Sequence, residues 1–401
     1  MLTEQVLPAQ RNTDRLTGSA LPDDLCAGTL IGRVWDPDAN GPSPVVIRAG
    51  GVFDISSSFA TVRDLCEQPD PAAAVAGVSG RLLGPFQEIL ANTDPATRDE
   101  NRPWLLAPID LQTLKAAGVT FAVSMIERVI EERARGDFEA AAQLRDQILD
   151  EIGTDLRHLR PGSEEARRLK TFLTERGLWS QYLEVGIGPD AEIFTKAPTL
   201  AAVGTAVPVG IPGTSTWNNP EPEVVLVVRS DGTIVGAALG NDVNLRDVEG
   251  RSALLLPQAK DNNASCAIGP LLRLFDDTFD LQTVRSMTVR LEIEGQDGFH
   301  LDGVSDMAQI SRDPLELVGQ LVGSHHQYPD GAVLMLGTMF APIVDRDVAG
   351  MGFTHKEGDV VRISSSELGS LVNGVGYCHT CEPWSFGIRA LMANLSDRNL
   401  L

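Results

Sequence analysis

The stretch that decides the fold of this chain lies at residues 220–228 and reads PEPEVVLVV. Proline has no backbone N–H and pushes the residue before it into an extended conformation, so the segment predicts the beginning of an apolar strand. Side chains two residues apart on a strand share one face, which puts Glu221 and Glu223 about 6.6 Å apart. Two unpartnered carboxylates this close repel each other and favour a proton or a cation between them.

A turn signal follows at residues 230–233, which read SDGT. Asp-Gly is a strong two-residue hairpin loop. If the first and last residues of this turn pair without a bulge, Glu221 lies opposite Asp242 on the returning strand. Directly opposed Cβ atoms are ~4.5–5.5 Å apart. The register therefore predicts that the carboxylates of Glu221, Glu223 and Asp242 converge on one point.

A group of three carboxylates without cysteine or histidine suits a hard cation that prefers oxygen ligands. Mg²⁺ is the first candidate, and Mn²⁺ or Ca²⁺ comes next. The alternative is that these acids lie on the solvated face of a strand in an acidic protein, because surface carboxylates are common. The spacing alone leaves both interpretations open.

The composition limits the classes of partner. The 401 residues include 43% hydrophobic and 22% charged residues, which is typical of a globular protein. With 33 Lys and Arg against 55 Asp and Glu, the net charge of −22 would repel nucleic acid and anionic membranes. The sequence has neither a secretory signal pattern nor an apolar run of ~18 residues, so we expect a cytoplasmic protein. An acidic substrate would need cations held within its site.

The changing periodicity predicts the domain organisation. We expect a polar arm at residues 1–27, a small β-rich domain at 28–104 and a catalytic domain at 105–401. Amphipathic spacing predicts a helical insert at 111–177 within the last of these. Most later segments are short β-prone runs separated by turn residues, so the fold class is mainly β with an α insert (α+β), and the large domain is mainly antiparallel.

Cysteine usage does not indicate a disulfide framework, because the five cysteines are an odd number in a long chain. The segment CHTC at 378–381 resembles half of a zinc site. A second cysteine pair is missing, and zinc normally takes four ligands. We therefore expect plain thiols.

Seven segments together resemble the fumarylacetoacetate hydrolase family, with order and spacing preserved from about residue 109 to 374. They are, in chain order, FTKAPT (194–199), EPE (221–223), GNDVNLRD (240–247), Lys260, IGP (268–270), DGAVLMLGT (330–338) and EGDVV (357–361). The resemblance implies a mixed β-sandwich roll for the large domain. It also implies that the three carboxylates bind Mg²⁺ or Mn²⁺, which chelates a small anionic 2-oxo acid.

The same resemblance implies roles for further residues. Lys260 would stabilise the enolate, because an ammonium group offsets the negative charge that develops when the C3 proton leaves. Arg246 and Thr338 would contact the substrate. From the sequence alone, Lys260 reads better as a solvated loop lysine in an Asn-rich loop. A homo-oligomer, dimer or tetramer, is the default for such enzymes.

One departure from the family pattern lies at residues 118–127, which read GVTFAVSMIE. Hydrolases of the family carry Gly-x-Asn-Tyr-x-x-His-x-x-Glu, whose His-Glu pair activates water. Here Glu127 is kept and the histidine is Ser124, which has no pKa useful for base catalysis at neutral pH. Glu127 can still move protons. The alternative is that Glu127 and Glu131 lie on a solvated helix face.

Within the family, the chain resembles most the 2-keto-3-deoxypentonate dehydratases of oxidative pentose degradation. This implies that it removes water from a sugar acid derived from xylonate or arabinonate and forms 2,5-dioxopentanoate. That reaction needs no water nucleophile, so the loss of the histidine is tolerable.

Two alternatives remain open at this point. The chain could be a hydrolase that cleaves a C–C bond of a 2,4-diketo acid, with water activated by Glu127 alone or by another group. It could also use the fold for ligand binding or assembly without catalysis, because fold does not dictate function.

Overall fold

The computed structural model of the chain describes residues 16, 20–121, 125, 159–175, 177, 179–340, 344–347 and 352–401. The strands within these ranges, numbered in chain order, are β1 (Leu30–Asp36), β2 (Gly41–Arg48), β3 (Gly51–Asp54), β4 (Arg81–Gly84), β5 (Trp104–Leu106), β6 (Thr113–Gly118), β7 (Glu192–Ala197), β8 (Val209–Ile211), β9 (Asn218–Asn219), β10 (Pro222–Val228), β11 (Ile234–Asp242), β12 (Asn244–Leu245), β13 (Cys266–Leu274), β14 (Thr288–Glu294), β15 (His300–Asp306), β16 (Ala332–Met335), β17 (Val360–Ser365) and β18 (Gly369–Tyr377).

The described α-helices have between four and twelve residues. They are α1 (Val62–Cys66), α2 (Pro71–Ala76), α3 (Phe86–Ala91), α4 (Glu164–Glu175), α5 (Gln181–Ile187), α6 (Arg246–Glu249), α7 (Leu256–Lys260), α8 (Leu281–Ser286), α9 (Pro314–Leu321) and α10 (Ile388–Asp397). Within the described ranges, no helix is long and apolar enough to cross a membrane.

Two sheets form the body of the protein. The larger sheet runs in the order β4-β3-β2-β1-β13-β11-β10-β16-β6-β7, and β5 pairs with β1 beside this path. The smaller sheet has the order β15-β14-β17-β18-β8. Pairing is antiparallel except between β16 and β6 and between β18 and β8, which are parallel. The architecture is a mainly β, mixed sandwich-like fold, as the sequence predicts.

Strand β10 shows why its sequence has no polar residue between 224 and 228. Val224, Leu226 and Val228 lie in a core shared with β14 and β17 of the smaller sheet. The intervening Val225 and Val227 lie in a second core with residues of α1 and α2. Alternate side chains of a strand point to opposite faces, so burial on both faces requires a continuous apolar run.

The hairpin between β10 and β11 differs from the predicted two-residue loop. The N–H of Arg229 donates to the carbonyl of Thr233 at 2.8 Å, so three residues form the loop, and Gly232 has a φ of +89°. A bulge at Val235 then shifts the register by one residue. The two deviations cancel. The pairs from Val227 with Gly236 back to Pro222 with Asn241 are therefore the predicted ones. The assumption of a bulge-free hairpin was wrong, while the register at the carboxylates is correct.

Two other expectations change. The predicted helical insert at 111–177 begins with a strand, β6, which pairs with β7 and β16. Its short apolar alternation fits a strand beside β7, which lies at one end of the large sheet, and the described helix of the insert is α4. Strands β1–β4 of the predicted small domain continue the same large sheet, because Leu30 and Ile31 pair with Arg273 and Leu272 of β13.

Candidate metal centre

The three carboxylates lie together where β10 begins and β11 ends. Glu221 immediately precedes β10, Glu223 is its second residue, and Asp242 is the last residue of β11. The N–H of Asp242 donates to the carbonyl of Glu221 at 3.0 Å, which fixes their opposition. One oxygen from each carboxylate lies within 4.8 Å of the others. Their exposed fractions are only 6%, 2% and 1%, so the interpretation as a solvated strand face is wrong.

Two buried lysines lie against these acids. The ammonium of Lys260 donates to Glu221 and, at 3.0 Å, to Oδ2 of Asp242. The Nζ of Lys196 lies 2.9 Å from Oδ1 of Asp242. Lys196 also donates to the carbonyl oxygens of Lys260 and Val243. Lys260 is thus a buried partner of the carboxylates and not a solvated loop lysine.

Glu223 makes no direct contact with a lysine among the residues that the structure describes. Its Oε2 accepts a 2.6 Å hydrogen bond from the N–H of Gly337. Burial and the neighbouring charges of Asp242 and Glu221 raise the pKa of Glu223 well above its ordinary value. Burial alone would lower the pKa of Lys260, but Asp242 and Glu221 outweigh burial and raise it. With all three carboxylates ionised, the centre would hold more negative than positive charge, so it favours a proton or a cation at Glu223.

This charge excess tests whether the residues fit a metal ion. Three ionised carboxylates against two ammonium groups would leave one buried negative charge, which is costly in a medium of low polarity, and the raised pKa of Glu223 expresses that cost. A divalent cation would relieve that cost, and oxygen donors are the ligands preferred by Mg²⁺. Within the described part of the chain, no other group of acidic, histidine and cysteine residues meets the same geometric condition. The thiols of Cys378 and Cys381 are free.

The backbone around Gly337 supports Glu223. Gly337 has a φ of +85°, and a Cβ at this position would lie 2.1 Å from Oγ1 of Thr120. Only glycine fits here without displacement of its neighbours, and this allows its N–H to reach the carboxylate. Thr338 is the next residue, and its Oγ1 accepts from the N–H of Phe340 at 3.1 Å. The structure thus places Thr338 beside the group that holds Glu223.

Asparagines orient Glu221 from two sides. The N–H of Glu221 donates to Oδ1 of Asn241 at 3.1 Å. The Nδ2 of Asn244 donates to Oε1 of Glu221 at 3.2 Å and to Glu249 at 2.6 Å. A ligand held by neighbouring hydrogen bonds keeps its orientation, as is common around metal sites.

The remaining predicted site residues have different outcomes. Arg246 begins α6 and lies over the indole ring of Trp217, with the guanidinium carbon 4.4 Å from the ring centroid. It is buried, so its contact with substrate stays a prediction. Ser124 and Glu127 lie outside the described residues, and their roles also stay predictions.

The residue that the sequence-based prediction missed is Lys196. It was recognised only as part of the FTKAPT segment, and no role was assigned to it. The signal that could have identified it is a single lysine in a short β-prone run, two residues before a proline. If such a strand is buried, its lysine needs an anionic or carbonyl partner. Its side chain is 0% exposed in the structure.

Comparisons with known proteins give a family and two groups of relatives. Residues 187–376 match the family model described as fumarylacetoacetate (FAA) hydrolase C-terminal. A curated relative from Haloferax volcanii, named probable 2-keto-3-deoxyxylonate dehydratase, is 28% identical over 328 residues, which cover 82% of this chain and 93% of the relative. The 2-dehydro-3-deoxy-D-arabinonate dehydratase of Saccharolobus solfataricus is 30% identical over 184 residues, which cover 46% of this chain and 58% of that protein.

Solved structures show the same fold. A 2-keto-3-deoxy-D-arabinonate dehydratase complexed with magnesium and 2,5-dioxopentanoate matches with a TM-score of 0.61 and 21% identity. The match covers 87% of this chain and 99% of that protein. At this identity the likeness establishes the architecture, including the part that precedes the family-model match.

Proposed function

Since the chain belongs to the fumarylacetoacetate hydrolase family, we propose that it is a Mg²⁺- or Mn²⁺-dependent hydro-lyase acting on a 2-keto-3-deoxypentonate. The substrate is derived from D-xylonate or arabinonate, and the product is 2,5-dioxopentanoate. The observation that carries the proposal is the buried group of Glu221, Glu223 and Asp242 with Lys260 against it. The curated relatives, both named as dehydratases of such sugar acids, support the choice of reaction.

The charges of the centre suit an anionic substrate. With all three carboxylates ionised, the carboxylates and two lysines carry one net negative charge, which a divalent cation would turn into one net positive charge. A substrate carboxylate would then balance the centre. This matters because the chain as a whole carries a net charge of −22, which repels anions at long range.

Each residue has one part in the proposed reaction. The three carboxylates would hold the cation, which would polarise the 2-keto group and make the C3 protons more acidic. Glu127 takes a proton from C3, and the ammonium of Lys260 stabilises the negative charge that develops on the keto oxygen. The C4 hydroxyl then leaves as water, and loss of a C5 proton with tautomerisation gives the aldehyde.

The remaining residues bind the substrate or position the residues of the metal centre. Lys196 bonds to the backbone carbonyl of Lys260 and lies against Asp242, so it positions both. Arg246 and Thr338 are proposed to contact the substrate. Ser124 stands where hydrolases of the family carry the histidine that activates water, and the proposed dehydration does not require that group.

The direct experiment is product identification. The purified protein is incubated with 2-keto-3-deoxy-D-xylonate or 2-keto-3-deoxy-D-arabinonate, with Mg²⁺ or with a chelator, and the products are identified by mass spectrometry. We expect one five-carbon semialdehyde, formed with Mg²⁺ and suppressed by the chelator.

Other outcomes would contradict the proposal. Release of pyruvate and a smaller fragment from a 2,4-diketo acid, without dehydration of either pentonate, would identify a hydrolase. Absence of turnover and of Mg²⁺ binding would identify a protein that uses the fold without catalysis. Light scattering during chromatography tests the proposed homo-oligomer of two or four chains.

A further inference from the structure

Thr120 follows strand β6 and lies beside the residues that follow β16. These two strands are parallel, and Met335 pairs with Ala116, so both segments leave the large sheet at the same edge. The hydroxyl of Thr120 lies 2.6 Å from the carbonyl oxygen of Leu336. A carbonyl oxygen only accepts hydrogen bonds, so the hydroxyl donates its proton there. Thr120 is 1% exposed, which keeps this contact away from water.

The carbonyl that Thr120 holds belongs to the same peptide unit as the N–H that reaches the metal centre. A peptide unit is planar and rigid, so a contact that fixes the carbonyl of Leu336 also fixes the direction of the Gly337 N–H. That N–H donates to Oε2 of Glu223 at 2.6 Å. The hydroxyl, the peptide unit and the carboxylate therefore form one continuous chain of hydrogen bonds, and bonds in such a chain polarise and strengthen one another.

Both Thr120 and Leu336 are held by further backbone contacts. The carbonyl oxygen of Thr120 accepts from the N–H of Ser311 at 2.8 Å and from its Oγ at 2.7 Å. The N–H of Leu336 donates to the carbonyl of Val224 in β10 at 3.0 Å. These contacts leave the Gly337 N–H little freedom to turn away from the carboxylate.

Glu223 depends on this peptide unit more than the other two acids do. Lysines contact Glu221 and Asp242, and asparagines hold Glu221. Among the residues that the structure describes, the Gly337 N–H is the only hydrogen-bond donor to the carboxylate of Glu223. A change in the direction of this N–H would therefore act on one ligand of the centre.

We propose that Thr120 is a positioning residue for Glu223, which acts through the Leu336–Gly337 peptide unit and keeps the carboxylate in the orientation that a bound cation requires. The proposal rests on the proposed metal centre, and it gives residue 120 a part that the proposed reaction does not include. Loss of the hydroxyl frees the carbonyl of Leu336, so the peptide unit can rotate and the Gly337 N–H no longer fixes the carboxylate.

Two substitutions of Thr120 separate its hydroxyl from its bulk. Thr120→Val removes the hydroxyl and keeps nearly the same volume, whereas Thr120→Ser keeps the hydroxyl. Calorimetric titration with MgCl₂ measures Mg²⁺ affinity without turnover. We expect Thr120→Val to bind Mg²⁺ about tenfold more weakly, at the lower end of the effect of losing an outer partner of a metal ligand, because the Gly337 N–H itself remains. Thr120→Ser should stay within about threefold of the parent, because its hydroxyl can make the same hydrogen bond.

Hydrogen exchange in chelator provides a second measurement, which needs neither Mg²⁺ nor substrate. A hydrogen-bonded N–H is protected from exchange until its bond opens. The fragment that contains Gly337 should exchange roughly three- to tenfold faster in Thr120→Val, the equivalent of one neutral hydrogen bond. In Thr120→Ser it should exchange as in the parent.

Thr93→Val is the matched control, because it removes an equally buried hydroxyl between α3 and β5. Thr93 is 0% exposed, and its Oγ1 donates to the carbonyl of Ile89 at 2.9 Å and accepts from the N–H of Leu105 at 3.0 Å. This variant should lose stability, as Thr120→Val does, but keep the Mg²⁺ affinity and the exchange rate at Gly337. Urea denaturation measures the stability of each variant.

The opposite results would overturn the proposal. These are an unchanged Mg²⁺ affinity or unchanged exchange at Gly337 in a folded Thr120→Val protein, equal changes in Thr93→Val, and a Thr120→Ser protein that is as impaired as Thr120→Val. If Thr120→Val does not fold, Ser311→Ala replaces it, because it removes one of the two donors to the carbonyl of Thr120. This variant should show weaker Mg²⁺ binding and faster exchange at Gly337, and the absence of both changes would also overturn the proposal.

Failure of the metal centre itself gives a different result. A parent protein that binds no Mg²⁺ would contradict the proposed function. The exchange rates in chelator would still decide whether Thr120 holds the peptide unit against Glu223.

Discussion

Two buried groups of charged residues behave differently in this protein. At the metal centre Glu223 contacts no cation among the described residues, and its pKa is raised by burial and by neighbouring acids. Around Arg346 the carboxylates of Asp359 and Asp297 each touch a cation. Arg346 holds Asp359 through two hydrogen bonds of 2.6 and 2.9 Å, and Asp297 bonds to both Arg346 and Lys356.

The pKa values express the same difference. Burial alone would raise the pKa of Asp359, but the neighbouring His355 ring and the hydrogen bonds from Arg346 hold it below its ordinary value. Hydrogen bonds from Lys356 and Arg346 lower the pKa of Asp297. The comparison teaches that a buried carboxylate with its own cation stabilises the fold, whereas one without a cation points to a ligand.

The largest expected effect is on stability, in the group around Arg346. Arg346→Met should lower the free energy of unfolding by about 3–5 kcal/mol, because it leaves Asp359 buried without its partner. Lys356→Met is the matched control. Lys356 is 39% exposed, so its loss should cost no more than about 1 kcal/mol. Urea denaturation measures both, and equal effects of the two variants would remove the basis of the comparison.

The next largest effect is on turnover, at Glu223 of the metal centre. Glu223→Gln should lower turnover at least about a hundredfold, because loss of an outer partner of a metal ligand already costs 10- to 100-fold. Its free energy of unfolding in chelator should not fall, since the raised pKa of Glu223 favours its protonated form, which glutamine resembles, and the amide keeps an oxygen for Gly337. Steady-state kinetics and denaturation measure these quantities.

The control for this variant is Glu292→Gln on the outer face of β14, where Glu292 is exposed. It should change neither turnover nor Mg²⁺ binding. Normal turnover of Glu223→Gln at limiting Mg²⁺ would exclude this metal centre, and Asp242→Asn provides a second test of the same kind.

Glu127 extends the comparison to an acid that is proposed to move protons and not to bind metal. Glu127→Gln should lower kcat about a hundredfold, the scale of a lost general base, with little change in KM. Mg²⁺ affinity should stay the same. Glu131→Gln, four residues further along the chain, is the control, and equal rates for both variants would favour the alternative in which Glu127 lies on a solvated face.

Metal addition tests the charge excess directly. At a Mg²⁺ concentration ten times the dissociation constant, the parent protein should gain about 1.4 kcal/mol of stability by mass action. Denaturation with Mg²⁺ and with a chelator measures this gain. An equal gain in Glu223→Gln would show that the ion acts elsewhere.

The smallest expected effect is at Ser124. In a dehydratase, Ser124→Ala should cost at most about tenfold in rate, equivalent to one neutral hydrogen bond of ~0.5–1.5 kcal/mol. If Ser124 instead activated water or attacked a carbonyl, the loss would be several orders of magnitude. Rates and products of the variant and parent decide, and a near-total loss with pyruvate as the parent's product would exclude the dehydratase.

The sequence was sufficient for contacts that follow from local geometry. Glu221, Glu223 and Asp242 lie on one hairpin, so the two-residue period of strands and the pairing register predict their convergence. The prediction succeeded even though the loop was wrong, because the bulge at Val235 restored the register. A one-residue register shift without this compensation would have moved the predicted partner to the other face of the sheet.

The sequence was insufficient where the contact is distant in the chain. Lys196 reaches Asp242 from β7, at one end of the large sheet, and no hairpin or helical spacing relates the two residues. Thr120 and Leu336 likewise meet only through the fold. Such contacts depend on how β6, β7, β11 and β16 are arranged, which short-range patterns do not specify.

The pairing of β1 with β13 has a consequence for attempts to isolate the catalytic part. A fragment that starts after residue 104 would keep β13 but lose the neighbour that covers its outer edge. All nine residues of β13 are buried in the whole protein. The fragment would expose free N–H and C=O groups near Leu272 and Arg273, beside apolar side chains, while Val203 would still bond to Cys266 and Ile268. Such an edge is a template for adding strands from other molecules. By covering this end of β13, strand β1 therefore protects the protein from aggregation through strand addition, whatever the β-rich segment contributes to catalysis.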